Sequence, residues 1–209
     1  MNNLIVSKLF TGLESIVKDN KFKIYGMPSF SYFMKKIEKS YNCHLIFLVR
    51  KELFFENKFI IKKKIHDFDK EIIFINESYF LKKKRFKIFF KIINSIFKFV
   101  YLLNFVIKKN IKNLKLDASS LVTFYFISRI KNFKKNLRLY GSYTLNFQKD
   151  RKDIYSYFFR RACKMKFNSV ICTKDGNSDL NDIKKIFINT KKVEIPFNGS
   201  NFINFNSKA

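Results

Sequence analysis

The residues of this chain that could do chemistry sit in polar or glycine-bearing clusters behind five short apolar runs. Thr11 and Gly12 come after Leu4-Ile5-Val6, and Asp117, Ser119 and Ser120 come after Leu114-Lys115-Leu116. Tyr140 and Gly141 follow Leu137-Arg138-Leu139, Asp175 and Gly176 follow Val170-Ile171-Cys172, and Asn198 and Gly199 follow Val193-Glu194-Ile195. A glycine at position 12 lets backbone N–H groups approach a phosphate. Asp117 offers a fixed acceptor to ligand hydroxyls, and Arg138 offers a guanidinium to a phosphate. Tyr140 donates a hydrogen bond but is a poor proton acceptor at neutral pH. These groups bind and orient, so no catalytic residue is assigned. Open parallel α/β sheets take ligands just beyond the carboxyl ends of their strands. If the five runs are neighbouring parallel strands, their clusters converge on one crevice.

Each residue also has a plainer role. Thr11-Gly12, Gly26-Met27-Pro28 and Asp175-Gly176 all serve as ordinary turns, and Asn198-Gly199 is a good turn pair. Asp117 suits a helix entry satisfied by backbone donors, the role we favour for it. A half-buried Arg138 more often pairs with a carboxylate, Asp117 for instance, than with a ligand.

The elements that must position these clusters alternate along the chain. Strands are expected at 3–7, 44–49, 71–75, 114–116, 137–140, 169–173 and 192–195. Helices are expected at 29–39, 82–111, 119–130, 153–165 and 180–187. The segment 52–68 fits either an edge hairpin or a cover over the sheet. Strand–helix alternation of this kind implies βαβ units with right-handed crossovers. The expected fold is therefore α/β, a Rossmann-like three-layer domain with a mostly parallel sheet flanked by helices. At 209 residues and 47% apolar, the chain can build one sizeable core.

A formal charge of +27 calls for anionic partners: nucleic acid, anionic lipid or phosphorylated small molecules. The basic residues spread along the whole chain, and no RRM, KH, zinc-finger or basic-zipper signature accompanies them, so no specific nucleic-acid partner is expected. Three cysteines (Cys43, Cys163, Cys172), none in a CxxC arrangement, argue against a disulfide framework or a zinc site. His44 and His66 have no ligand spacing, and His44 reads as structural. No metal or other cofactor is expected. The apolar stretch 86–107 is interrupted by Lys87, Lys91, Asn94, Ser95 and Lys98, which argues against a spanning helix. Lys84, Lys87, Lys91, Asn94 and Lys98 recur at three- and four-residue steps and so share one helical stripe. That stripe faces either water or anionic lipid, with the apolar remainder packed on the sheet.

Taken in order, several segments resemble the amino-terminal half of retaining GT-B-fold glycosyltransferases, family 4-like. They are Leu9-Phe10-Thr11-Gly12-Leu13-Glu14, Gly26-Met27-Pro28-Ser29, Leu137-Arg138-Leu139-Tyr140-Gly141, Val170-Ile171-Cys172-Thr173-Lys174-Asp175-Gly176 and Pro196-Phe197-Asn198-Gly199. The resemblance implies that residues 1–199 form the acceptor-side Rossmann-like domain and 200–209 a truncated linker toward a missing donor-binding domain. It implies a nucleotide-sugar donor held mainly by that missing domain, a glycan or lipid-linked acceptor, and no activity of this half alone. Thr11, Gly12, Gly26, Asp117, Arg138, Tyr140, Gly141 and Asp175 would then contact substrate. Many family members place a histidine after the strand that matches 137–139. Tyr140-Gly141 stands there in this chain, so a binding role carries over and a catalytic base does not. The cysteines read as reduced thiols of a cytoplasmic protein, and the stripe of Lys84, Lys87, Lys91 and Lys98 offers either a peripheral seat at the inner face of the membrane or a solvated face. The alternative is a basic membrane-surface or nucleic-acid-binding α/β module without catalysis.

Overall fold

Continuous apolar runs bounded by polar turns become strands buried on both faces. A computed structural model of the chain shows where they go. It describes residues 2–8, 36, 38, 39, 41–49, 58–64, 68–77, 79, 87–139, 152–172 and 180–194. The chain divides into two units, Met1–Leu114 and Lys115–Ala209.

The first unit contains β1 (Asn3–Lys8), β2 (Cys43–Val49), β3 (Ile60–Lys63), β4 (Ile72–Asn76) and α1 (Lys87–Lys108). Its strand order is β3-β4-β2-β1. β1 runs parallel to β2 with Leu4 opposite His44, and β2 runs parallel to β4 with Phe47 opposite Phe74. Those two rings stack at 5.8 Å. β3 is antiparallel to β4, so the ambiguous segment contributes an edge hairpin strand. Leu4, Val6, Ile46, Leu48 and Ile75 are wholly inaccessible to solvent. Residues 36, 38 and 39 are helical, as expected for 29–39. Buried Glu38 accepts hydrogen bonds from the backbone N–H groups of Asp69 (3.1 Å) and Lys70 (2.8 Å), which fixes the turn leading into β4.

α1 ends in a Schellman motif. Asn110 takes a left-handed φ of 46°, which asparagine tolerates better than most residues. The Ile111 N–H bonds back to the Val106 carbonyl and the Asn110 N–H to that of Ile107, both at 3.0 Å. Val106 and Ile111 are both fully buried and supply the accompanying apolar contact.

The orientation of α1 differs from expectation. The polar stripe exists, but part of it turns inward. Lys98 is largely covered and pairs with Glu77 at 2.6 Å, their side chains 12% and 10% exposed. Asn94 is buried and donates to the Glu77 carbonyl. Phe89, Ile92, Ile96, Phe97, Val100 and Ile107 are instead the exposed face. The physical reason is Glu77. A carboxylate immediately after β4 gives the inward ammonium a counter-charge, which a buried cation requires. By length and composition alone, the stretch Phe89–Lys108 would suffice to cross a bilayer.

β5 (Asn113–Asp117) begins in the first unit and ends in the second. The second unit continues with α2 (Leu121–Ile127), β6 (Lys134–Leu139), α3 (Ile154–Cys163), β7 (Ser169–Cys172), α4 (Leu180–Ile186) and β8 (Val193–Glu194). β6, β7 and β8 are mutually parallel neighbours, with Leu137 opposite Val170 and Val170 opposite Val193. α3 and α4 lie in the connections between them, the βαβ arrangement expected. Asp153 caps α3 by accepting from the Ser156 N–H at 2.9 Å. The architecture is α/β and Rossmann-like, with a mostly parallel sheet: β3 is the antiparallel strand among the described pairings.

Candidate functional site

Parallel pairing decides where the connecting loops emerge. In the first unit β1, β2 and β4 run the same way, so the chain leaves Lys8, Val49 and Asn76 at one edge. In the second unit the chain leaves Leu139, Cys172 and Glu194 at one edge, for the same reason. The clusters singled out in the sequence follow these strand ends. Thr11, Gly12, Gly26, Tyr140, Gly141 and Asp175 themselves lie outside the described residues.

Asp117 and Arg138 are described. Asp117 closes β5 and is buried. Its Oδ1 accepts from the Ser119 N–H at 2.9 Å and from the Ser119 hydroxyl at 2.5 Å. The Ser120 hydroxyl donates to the Asp117 carbonyl at 3.1 Å, and Ser120 is the N-cap of α2 with no side-chain cap bond. Asp117 thus organises the turn from β5 into α2, the helix-entry role favoured for it. Arg138 is the penultimate residue of β6, opposite Ile171 and partly exposed. It is the described cation nearest in sequence to the strand ends of that unit.

Of the lysines expected to touch a membrane, Lys84 lies outside the described residues. Lys87 opens α1, and Lys91 is exposed. Lys98 is withdrawn by its pairing with Glu77, and this corrects its assignment to a lipid-facing stripe.

Among the described residues, burial shifts two groups that could act as base or nucleophile, His44 and Cys163. His44 is the second residue of β2, edge-on to Phe105 at 5.4 Å. Burial, followed by the nearby charges of Lys70 and Lys109, lowers its pKa to about 4. From His44 to Val49 the strand rises roughly 16 Å, so this imidazole sits at the opposite edge from the loops. Burial pushes the Cys163 thiol up to about 12, so it is not a thiolate at neutral pH. Among the described residues no group of three His, Cys, Asp or Glu side chains is placed to hold a metal ion.

One constellation escaped the sequence reading. Arg129, Lys135, Arg161, Lys164 and Lys166 line a single open groove in the second unit. They come from the end of α2, the start of β6, the end of α3 and the approach to β7. No short motif links them, and only the crossover from β6 through α3 to β7 brings them together.

Parallel strands joined through helices, with their carboxyl ends at one edge within each unit, define a Rossmann-like α/β fold. No protein-family model matches the sequence, and no curated protein sequence matches it. Solved structures do match the fold. Sucrose-phosphate synthase from Thermosynechococcus elongatus superposes with a TM-score of 0.52 at 11% identity, covering 94% of this chain and 47% of that chain. A second chain of that synthase gives 0.50 at 9% identity, covering 96% of this chain and 91% of that one. This chain therefore spans about half the length of the first. At such identities the likeness is one of architecture: the chain shares the fold of these structures.

Proposed function

We propose that this chain forms the acceptor-side, amino-terminal half of a retaining GT-B glycosyltransferase, moving a sugar from a nucleotide-sugar to a glycan or lipid-linked acceptor. The observation that carries this reading is the parallel pairing, which in each unit delivers the loops behind the strands to one edge. The likeness to sucrose-phosphate synthase over 94% of the chain supports it. In this reading the edge binds hydroxyls and does not move protons. Arg138 orients an anionic or hydroxylated group, and Asp117 keeps the β5–α2 turn in place. The donor is held mainly by a second domain outside this chain. His44 contributes no base, because it stands at the far end of its strand. A glycan array read with the purified chain tests this reading. Saturable binding to a subset of glycans, weakened several-fold by Arg138→Ala, is expected. Absence of carbohydrate binding overturns it.

A second reading concerns location, and α1 favours it. Six apolar side chains, from Val100 at 47% exposed to Phe89 at 60%, form its outer face. The helix carries no acidic residue, and Lys91, Lys108, Lys109 and Lys112 are exposed on or just beyond it. The occupant that matches both properties is an anionic bilayer. Submerging the exposed half of each side chain contributes about 1 kcal/mol, roughly 6 kcal/mol for the six. Each nearby lysine adds about 1 kcal/mol on an anionic surface. The contact is thus peripheral and led by apolar residues, with the lysines around them. Flotation with phosphatidylglycerol vesicles tests it. Ile92→Ser/Ile96→Ser/Val100→Ser should abolish flotation while leaving the circular dichroism unchanged. Undiminished flotation of that variant contradicts it.

A further inference from the structure

We propose that the groove between the end of α2, the start of β6 and the end of α3 is a binding site for a diphosphate or a pair of adjacent phosphate groups, independent of the sugar-handling edge. Lys135 is the second residue of β6, and Lys164 and Lys166 precede β7, so the groove lies at the amino-terminal edge of these strands. That is the opposite edge from the loops assigned to the acceptor.

Five cations line a cavity of about 330 Å³, and among the described residues no carboxylate lines it. Among the described residues, their side-chain partners are rings and hydroxyls. Arg129 donates to the Tyr125 hydroxyl at 2.9 Å, with its guanidinium 5.2 Å from that ring's centre. Arg161 does the same on Tyr157, at 2.9 Å and 5.3 Å. The Lys135 ammonium lies 5.3 Å from the centre of the Phe133 ring. A ring holds a guanidinium in place without neutralising it, and one hydroxyl uses one of its five N–H donors. What remains is oriented positive charge in the geometry that grips phosphate oxygens.

The plainer explanation covers only part of this. Arg129, Arg161 and Lys164 sit at helix carboxyl termini, where the helix dipole favours cations. It does not account for Lys135 and Lys166, which approach from the strand side. Burial pushes the Lys135 ammonium's pKa down, because covering it removes water from its charge. An anion in the groove would relieve this and the mutual repulsion of the five cations. One phosphate carries too little charge to balance five cations, and the cavity is at the small end of ligand sites. Two adjacent phosphates match both size and charge.

The test is calorimetric titration with inorganic pyrophosphate. Saturable binding at one site is expected, at least about tenfold tighter than inorganic phosphate. Arg129→Gln/Arg161→Gln should lose about tenfold or more, while Lys184→Gln/Lys185→Gln, which removes equal charge from α4 and touches none of the residues lining the groove, should change nothing. Circular dichroism reports whether each variant is folded, and Lys135→Gln supplies a second groove variant should the first not fold. Flotation with phosphatidic acid vesicles separates the sources of the phosphate. Groove-dependent flotation competed by pyrophosphate assigns a lipid headgroup, whereas pyrophosphate binding without groove-dependent flotation assigns a free ligand. Equal losses in the Arg and Lys double variants overturn the proposal, as does groove-dependent binding of RNA with no binding of pyrophosphate.

Discussion

Lys98 and Lys135 are both cations drawn partly out of water, and the molecule treats them in opposite ways. In the first unit Lys98 is largely covered and paired with Glu77, so its charge is spent inside the fold. In the second unit Lys135 lies over the Phe133 ring, among cations that no groove carboxylate offsets. A net charge of +27 therefore says little about any single lysine. The partner decides: a carboxylate makes a cation structural, and an aromatic ring keeps it available to a ligand.

The sharpest way to break this contrast is Glu77→Gln. It leaves the largely covered Lys98 ammonium without its Glu77 counter-charge and should cost about 2 kcal/mol in urea denaturation, toward the low end for a pair drawn out of water. Glu77→Gln/Lys98→Met should regain most of that loss. The groove substitution Arg161→Gln should cost no more than about 0.5 kcal/mol, because an exposed cation outside such a pair holds little stability. A Glu77→Gln loss no larger than that of Arg161→Gln would erase the distinction.

A smaller effect sharpens the second side. Asp153→Ala removes the cap of α3, the helix that carries Arg161, and should cost about 1 kcal/mol. Pyrophosphate affinity should hold, since the groove cations lie at the other end of the helix. Loss of affinity without a matching loss of stability would place the cap within the site.

The pH dependence gives the smallest effect and adds a third treatment of charge, which is neutralisation. The folded-state pKa of His44 is lowered to about 4 from an ordinary 6.5. The unfolded chain therefore takes up a proton that the folded chain refuses. Stability is full above pH 6.5 and falls as the pH drops toward 4, by on the order of 1 kcal/mol once solvent screening of this half-exposed group is allowed for. His44→Gln should flatten that slope in melting experiments between pH 7 and 4. Lys135 has the same sign in the alkaline range. Its folded-state pKa lies below the ordinary 10.5, so its unfavourable contribution fades as the pH approaches that value.

The strand runs were legible because each is short, apolar and followed by turn residues. β6 starts at Lys134, earlier than the expected 137, because a parallel ladder pairs backbones regardless of the lysines it carries. The stripe on α1 was legible as a period. Its direction was not, since that depends on Glu77, which lies outside the helix and reaches Lys98 only through the fold. Asp117 read correctly as a helix entry because its partner, Ser119, is two residues away. The groove was illegible for the opposite reason. Arg129, Lys135, Arg161 and Lys166 meet only after a β–α–β crossover, and local spacing carries no trace of that meeting.

Amide chemical-shift mapping during titration with a glycan taken from the array tests the central claim most directly. The account predicts shifts clustered at the carboxyl ends of the parallel strands, at Lys8, Val49, Asn76, Leu139 and Cys172, with Asn3, Cys43, Asn136 and Ser169 unmoved. Shifts confined to that second group would contradict it.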